Sequence, residues 1–520
     1  MKRSFLALAI LSANIISAQS ALFRIYPLDT EYVQTMYWGG TNRITRCADG
    51  GYYVNYQFAD CNSLHTTSYC YGTELIKTDA LFQSQWSIDV GHSFNQCVTF
   101  PQADTSVVAV NFGAEPYAKK LDANGNVNWF NYYRDAYPVQ TSGTGAALHN
   151  SSIEFAGMIS TSNMYNFIHA AGFLLDIDTA GNIVQADSIT VSSFTYPGID
   201  AIATDASGNR YIAGRDHISA GNVYVAKLLP NNSVAWCKTL SGFSYYLPGI
   251  SRITPLSDGS VILGGSAMNP NVGTGSVELF HLDPNGNLLW AKELDYPSWT
   301  NGMTETAGGN ILVSVDFRYF YGDTLTGLAL EISPSGNQVW NKRFAPGFGF
   351  GPAMIENANS YIFPAFTVAP TVFRTDSLGN APCYAPSLSL SLLPLAISAS
   401  NSTCTLYPVT FYTIAQQHDS SRVQSYRDTC IISVITGGEA QMNNAAVTFY
   451  PNPSTGLIHF SVPSEASDLI ITDMLGNVIL EEKHPAKNFE VDLGSYPDGI
   501  YFARIVSENG MESGKIILAK

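Results

Sequence analysis

An all-β fold is what this chain predicts, and three observations carry that expectation. The residues fall into a repeat of about 50 residues built from two turn-and-strand units. The composition favours strands and turns, with 43 Gly, 29 Tyr and 27 Phe but only 13% charged residues in a chain of 520. The apolar runs are short, alternate with period two, and are bounded by Gly, Pro, Asn and Asp.

One unit of the repeat reads apolar strand, Asp, two residues, Gly-Asn, two residues, Trp. It is clearest from Leu121 to Trp129 and from Leu282 to Trp290. Degenerate copies run from Asp79 to Trp86, Asp178 to Gln185, Leu229 to Trp236, Ser333 to Trp340 and Asp376 to Cys383, making seven. The second unit, a tight turn entering a strand, precedes each copy, at Asp49-Gly50-Gly51, Asp104, Asn150, Asp205 to Asn209, Asp258-Gly259, Gly308 to Asn310 and Asn357. Strict alternation gives four short strands per repeat. Seven such repeats over residues 19–385 predict a seven-bladed β-propeller, because one blade cannot cover its own two faces and radial stacking covers all of them.

The five tryptophans Trp86, Trp129, Trp236, Trp290 and Trp340 share one repeat position, which predicts apolar anchors between blades. Pro382 argues against a central fourth strand in the last copy, whereas Leu22 to Tyr26 stand where a fourth strand would precede the first. Residues 22–26 are therefore expected to complete the last blade. Residues 386–436 do not repeat and are read as a separate β segment, followed by a Gly- and Asn-containing linker at 437–446.

Residues 447–520 alternate apolar strands with turn formers and predict a small Ig-like β-sandwich. Their motif residues are Pro451, Asn452, Pro453, Gly456, Asp473, Gly476, Gly499, Tyr501 and Lys515. In order and spacing this tail resembles the type A C-terminal sorting domain of the Bacteroidota type IX secretion system. The resemblance implies recognition by that machinery and delivery to the outer-membrane surface or the exterior by way of the periplasm. Gly456 and Gly499 are expected to hold backbone angles that a β-carbon resists. At the other end Lys2-Arg3, an apolar run from Phe5 to Ile16 and a small-residue site between Ala18 and Gln19 read as a Sec signal peptide over residues 1–18. No second apolar stretch reaches transmembrane length. The formal charge of −16 argues against nucleic acid as a partner.

The eight cysteines suit an oxidising compartment. The spacing suggests Cys61–Cys70 and Cys404–Cys430 pairs, the latter stapling a small hairpin, and leaves Cys47, Cys97, Cys237 and Cys383 unassigned. No CysXxxXxxCys, GlyXxxSerXxxGly or HisGluXxxXxxHis motif occurs, and Gly510 to Lys515 falls one residue short of a P-loop. Asp122, Asn124 and Asn126, and likewise Asp176 and Asp178 before Gly181, could offer oxygens to calcium. No Glu closes these loops, and Asx turns explain them, so no metal or cofactor is expected. The Gly-to-Trp repeat is similar to that of quinoprotein dehydrogenases, but it lacks their Thr-Gly, their eighth copy and their adjacent cysteine pair.

Long connections are expected on one face of the disc, where Tyr137, Tyr196, Tyr246, Trp299, Tyr319 and Phe348 form the candidate ligand face. The leading functional reading is a non-enzymatic surface scaffold that binds a glycan or protein there. The alternative is a secreted polysaccharide hydrolase or lyase, or a quinoprotein-like oxidoreductase, acting at the channel mouth.

Overall fold

A computed structural model describes residues 23–25, 43–59, 71–91, 97–112, 116–135, 140–160, 170–216, 221–243, 246–269, 274–317, 326–346, 349–366, 370–381, 390–416, 427–428, 448–461, 466–473, 478–483, 488–507 and 510–520. The chain divides into two compact units, Met1–Ser433 and Val434–Lys520. Every regular element among the described residues is a strand.

In the first unit the turn-and-strand repeat folds into seven antiparallel blades. Blade 1 consists of Arg43–Arg46, Tyr52–Ala59, Tyr71–Thr78 and Ser84–Gly91, from the centre outward. Blades 2, 3 and 4 repeat that order, and begin with Cys97–Pro101, Gln140–His149 and Ala201–Thr204. Blades 5 and 6 share one long strand, Leu288–Glu305, which is outermost in blade 5 and then innermost in blade 6. Blade 7 is built on Met354–Asn357, Ser360–Phe366 and Pro370–Asp376. Its fourth strand is Phe23–Ile25, which pairs antiparallel with Pro370–Asp376 in the register Phe23↔Phe373, as the N-terminal sequence led us to expect.

Apolar packing follows this architecture. Seven buried clusters in the first unit each join two neighbouring blades, for example Trp86 with Val107 between blades 1 and 2, and Tyr211 with Phe280 between blades 4 and 5. The cluster containing Tyr52, Val54, Ile362 and Val372 joins blade 1 to blade 7 and so closes the ring. Each blade thus borrows half of its core from the next.

The hairpin turns obey one rule. In twelve of them the first residue's N–H bonds to the carbonyl four residues on, and the fourth residue takes a positive φ, as in Asp122 N to Asn126 O at 2.9 Å with Gly125 at φ 83. The Trp anchors use the same turns. Trp236 Nε1 donates to Pro284 O at 2.9 Å, and Trp86, Trp129, Trp290 and Trp340 reach the corresponding carbonyls of Ala123, Thr179, Pro334 and Ser377 in the next blade. The ring lies over the glycine of that turn: a β-carbon at Gly286 would stand 2.8 Å from Trp236. Gly286 is therefore required twice, for its φ of 79 and for the tryptophan above it.

Residues after blade 7 form a belt rather than the separate segment expected from sequence. Running back around the ring, Leu392–Pro394 pairs with the outer strand of blade 5, Ser398–Asn401 with blade 4, Cys404–Pro408 with blade 3 and Phe411–Ala415 with blade 2. Arg427–Asp428 then pairs with Phe23–Ile25 on blade 7. Each added strand covers an edge that would otherwise expose unpaired N–H and C=O groups. Belt side chains also enter the junctions, Leu392 between blades 5 and 6, Ile397 between 4 and 5, Leu406 between 3 and 4, and Phe411 between 2 and 3.

The belt overturns the Cys404–Cys430 pairing. Cys404 is bonded to Cys237 on the outer strand of blade 4, with a Cα–Cα distance of 6.0 Å across a sequence separation of 167. Sequence proximity could not reveal this pair, because only the belt's reverse path brings Cys404 to Cys237. Cys61, Cys70, Cys383 and Cys430 lie outside the described residues, and Cys47 and Cys97 are buried free thiols. Replacing Cys237 and Cys404 by Ser should cost on the order of 4 kcal/mol, since the bond closes a long loop in the unfolded chain. Equal melting of the variant and the wild type without reductant would show that the pair contributes nothing.

The second unit is a sandwich. Thr448–Tyr450, Leu457–Ser461 and Asn488–Asp492 form one sheet; Val478–Glu482, Ala466–Thr472, Gly499–Ser507 and Gly510–Leu518 form the other. Ile458, Phe460, Leu469, Ile471, Val491 and Ile516 belong to its core, which is independent of the propeller clusters.

Candidate functional site

The tail motifs converge on the last strand. The Asn452 side-chain amide donates to Lys515 O at 2.6 Å and accepts from Ile517 N at 2.7 Å, so it pairs with Gly510–Leu518 as a short strand would. Pro451 and Pro453 flank it, each preceded by a cis bond. Ser454 continues the pairing, giving its N–H to Ile517 O and accepting from Ala519 N, both at 2.8 Å. Gly456 has φ 151, and a β-carbon there would approach Gly494 Cα at 2.9 Å. Gly499 departs from expectation: it begins a strand with ordinary backbone angles, and a β-carbon would meet only the edge of Tyr501 at 3.9 Å. Tyr501 is buried and donates to Pro497 O at 2.7 Å, fastening the turn that precedes it. Asp473 is half-buried, Lys515 is exposed, and Gly476 lies outside the described residues. Sequence reading missed Gly514, whose missing side chain makes room for the Phe449 ring: a β-carbon would lie 2.3 Å from it.

In the propeller, all the five-residue turns lie at one end of the strands, and the connections between hairpins and between blades leave from the other. At the turn end the Asp side chains are consumed locally. Asp122 Oδ1 accepts the N–H groups of Asn124 and Asn126 at 2.8 Å, and Oδ2 accepts the Asn126 amide at 2.9 Å. Asp178 does the same, while Asp176 turns inward to His149, so the two do not share a site. At the loop end Tyr196 is half-buried, with its N–H on Asp216 Oδ1 at 3.2 Å. Tyr246 and Trp299 lie on strands Tyr246–Pro255 and Leu288–Glu305 with their side chains outside the described residues, as are Tyr137, Tyr319 and Phe348 entirely.

Two buried polar groupings went unnoticed in the sequence because their members come from different strands. Between blades 3 and 4, where Gln185 replaces the Trp anchor, Arg210 pairs with Glu154, and His149 Nδ1 meets Asp176 Oδ2 at 2.8 Å. His149 Nε2 faces Pro230 O at 3.2 Å, the carbonyl equivalent to those the tryptophans take elsewhere. Both ring nitrogens face acceptors, an arrangement that an imidazolium satisfies. The hydrogen bond to Asp176 accordingly raises the His149 pKa. His149, Glu154 and Asp176 bring ligand atoms within 4.8 Å of one another, but Arg210 already supplies a cation to Glu154. The second grouping is Glu278, buried opposite Glu293 on the neighbouring strand.

Burial pushes Glu154 up to about 7, Asp200 to about 6, and Glu278 to about 8, with Glu293 adding to the last. All three acids bind protons more tightly when folded than when unfolded. Stability therefore falls as pH rises through their folded values. His149 has the same sign: its contribution is full below the unfolded pKa near 6.5 and disappears as pH rises through its raised value. The propeller should consequently melt several degrees higher at pH 5.5 than at pH 8.5. Glu278→Gln, which mimics the protonated acid, should flatten that slope; an unchanged slope would remove Glu278 from the account.

Taken together, the fold and tail define a repeat-built propeller carrying a sorting sandwich. Residues 448–519 match the family described as "Secretion system C-terminal sorting domain". The chain is a cargo protein of the type IX secretion system, exported to the outer-membrane surface or beyond. Among the described residues no helix is long and apolar enough to cross a membrane. No curated protein matches the sequence. Among solved structures, the chain is similar to PorZ, a surface component of the type IX secretion system of Porphyromonas gingivalis, at 9% identity over 93% of this chain and 75% of that one, with a TM-score of 0.33. It is also similar to the polysaccharide lyase Uly1, at 10% identity over 69% and 98% with a TM-score of 0.39. A protein of unknown function from Bacteroides caccae follows, at 11% identity over 56% and 98% with a TM-score of 0.33. Scores this low transfer no activity.

Proposed function

We propose that the exported propeller is a non-enzymatic scaffold that binds a glycan or protein ligand at its loop end. One observation carries this reading: the turn end is closed by self-satisfied Asx turns, so every variable connection is left to the opposite end. A rigid ring that gathers its loops on one face presents them as a single surface, and the belt and disulfide hold that ring in shape.

A glycan and peptide array probed with the mature propeller tests the reading. Binding should be lost on replacing loop-end residues, Tyr196→Ala among them, and kept on replacing the turn-end Asn285→Ala. Chemical turnover of a bound array component, or a ligand that only turn-end changes release, would defeat it.

A further inference from the structure

The two outer faces of the sorting sandwich differ in charge. Across the four-stranded sheet, Phe502 on Gly499–Ser507 stands opposite Thr472 on one side and Lys515 on the other, and Thr472 in turn stands opposite Val478. Ile500 and Arg504 flank Phe502 two residues away along its own strand, and Ile517 stands opposite Ile500. The intervening Tyr501, Ala503 and Ile516 belong to the core, so the strand alternation turns Phe502 and its neighbours outward. Phe502 is 46% exposed and Val478 57%; Ile500 and Ile517 are half-buried, and Arg504 and Lys515 are exposed. Glu481, also exposed, lies on the opposite edge of this sheet from Lys515. The outer face of the three-stranded sheet instead exposes Glu490 and Asp492, with Glu490 against His459 at 2.9 Å. Residues 447–520 hold ten Asp and Glu against five Lys and Arg, so two cations beside an exposed phenyl ring run against the composition of the tail.

The tail's own motif fastens this face. The Asn452 amide bonds to Lys515 O and Ile517 N, the backbone of the two residues through which the last strand contributes to the face, and Ser454 N bonds to Ile517 O. Fixing that backbone sets the Lys515 and Ile517 side chains beside Phe502 before any partner arrives, which lowers the ordering cost of binding. An aromatic anchor with cations at its rim complements an apolar pocket bordered by carboxylates.

We propose that the face centred on Phe502, with Arg504 and Lys515 at its rim, is where the type IX machinery grips the tail, through a machinery protein that offers an apolar pocket bordered by Asp or Glu. The assignment rests on the sorting role of residues 447–520 and can fail separately from it: if deleting the tail stops export while changes to this face do not, the sorting role stands and the face is wrong.

The test is export of the full chain in a strain with the machinery, read by cell fractionation, with the melting of the tail measured on each purified variant. Phe502→Ser should lower the exported fraction about tenfold, in keeping with loss of an aromatic anchor. Arg504→Glu combined with Lys515→Glu should do the same through rim charges of the wrong sign, and as a surface change it leaves the core of the tail intact. Arg504→Lys with Lys515→Arg should export normally, as should Glu490→Gln and Leu457→Ser on the opposite sheet. A photo-crosslinking amino acid placed at position 502 should join the chain to a machinery protein during export, at a site beside Asp or Glu residues. Wild-type export of both the Phe502 variant and the charge-reversed variant would overturn the assignment, and so would a crosslink from position 502 to this chain's own propeller or to a second copy.

Discussion

Deleting residues 447–520 is expected to abolish delivery to the cell exterior and leave a folded propeller in the periplasm. The tail forms a separate compact unit, and its core, which includes Ile458, Leu469, Val491 and Ile516, shares no member with the seven blade-junction clusters. Removing it therefore takes away recognition without opening the propeller. Cell fractionation should show the truncated protein in the periplasm, with a melting temperature for the propeller transition that matches the full chain. Fusion of residues 447–520 to an unrelated Sec-exported protein should carry that protein to the surface of a strain with the machinery. Export of the deleted form at wild-type efficiency would refute the sorting role. Within the tail, Gly456→Ala should impair export more than Gly499→Ala, because only Gly456 combines an unusual φ with a backbone neighbour 2.9 Å from where a β-carbon would lie.

Removal of residues 19–27 should destabilise the ring more than any single substitution in a blade. Phe23–Ile25 pairs on one side with Pro370–Asp376 and on the other with Arg427–Asp428, so its loss uncovers one edge of blade 7 and unseats the end of the belt together. The lost backbone hydrogen bonds alone account for about 3 kcal/mol, and the closing junction of blades 1 and 7 loses its outer support as well. A chemical denaturation midpoint no lower than that of the mature protein would show that the ring closes without this strand.

Much of this architecture was legible in the order of residues. The AspXxxXxxGlyAsn turns act through their own backbone and side-chain bonds, and the Trp three residues after the Asn lands on the neighbouring turn because the repeat recurs in register. Local chemistry repeated seven times is a long-range statement, since identical units can bury their faces only against one another. The N-terminal closure was legible for the same reason: a repeat that lacks its fourth strand, and a strand that lacks its repeat, must complement each other. Likewise the tail's turn formers and alternation specified a sandwich, with Asn452 and Gly456 among its fastenings.

What the sequence alone determined was thus the periodic part: blade number, turn chemistry, Trp anchors, ring closure and export. Tertiary structure decided everything that occurs once. The belt's reverse path has no periodicity to betray it, and that path alone joins Cys237 to Cys404. Arg210 of blade 4 meets Glu154 of blade 3 across a blade junction, beside the His149–Asp176 pair within blade 3, where the ring lacks a tryptophan and buried charge takes its place. Residues far apart in the sequence meet in this way because distance around a closed ring is unrelated to distance along the chain.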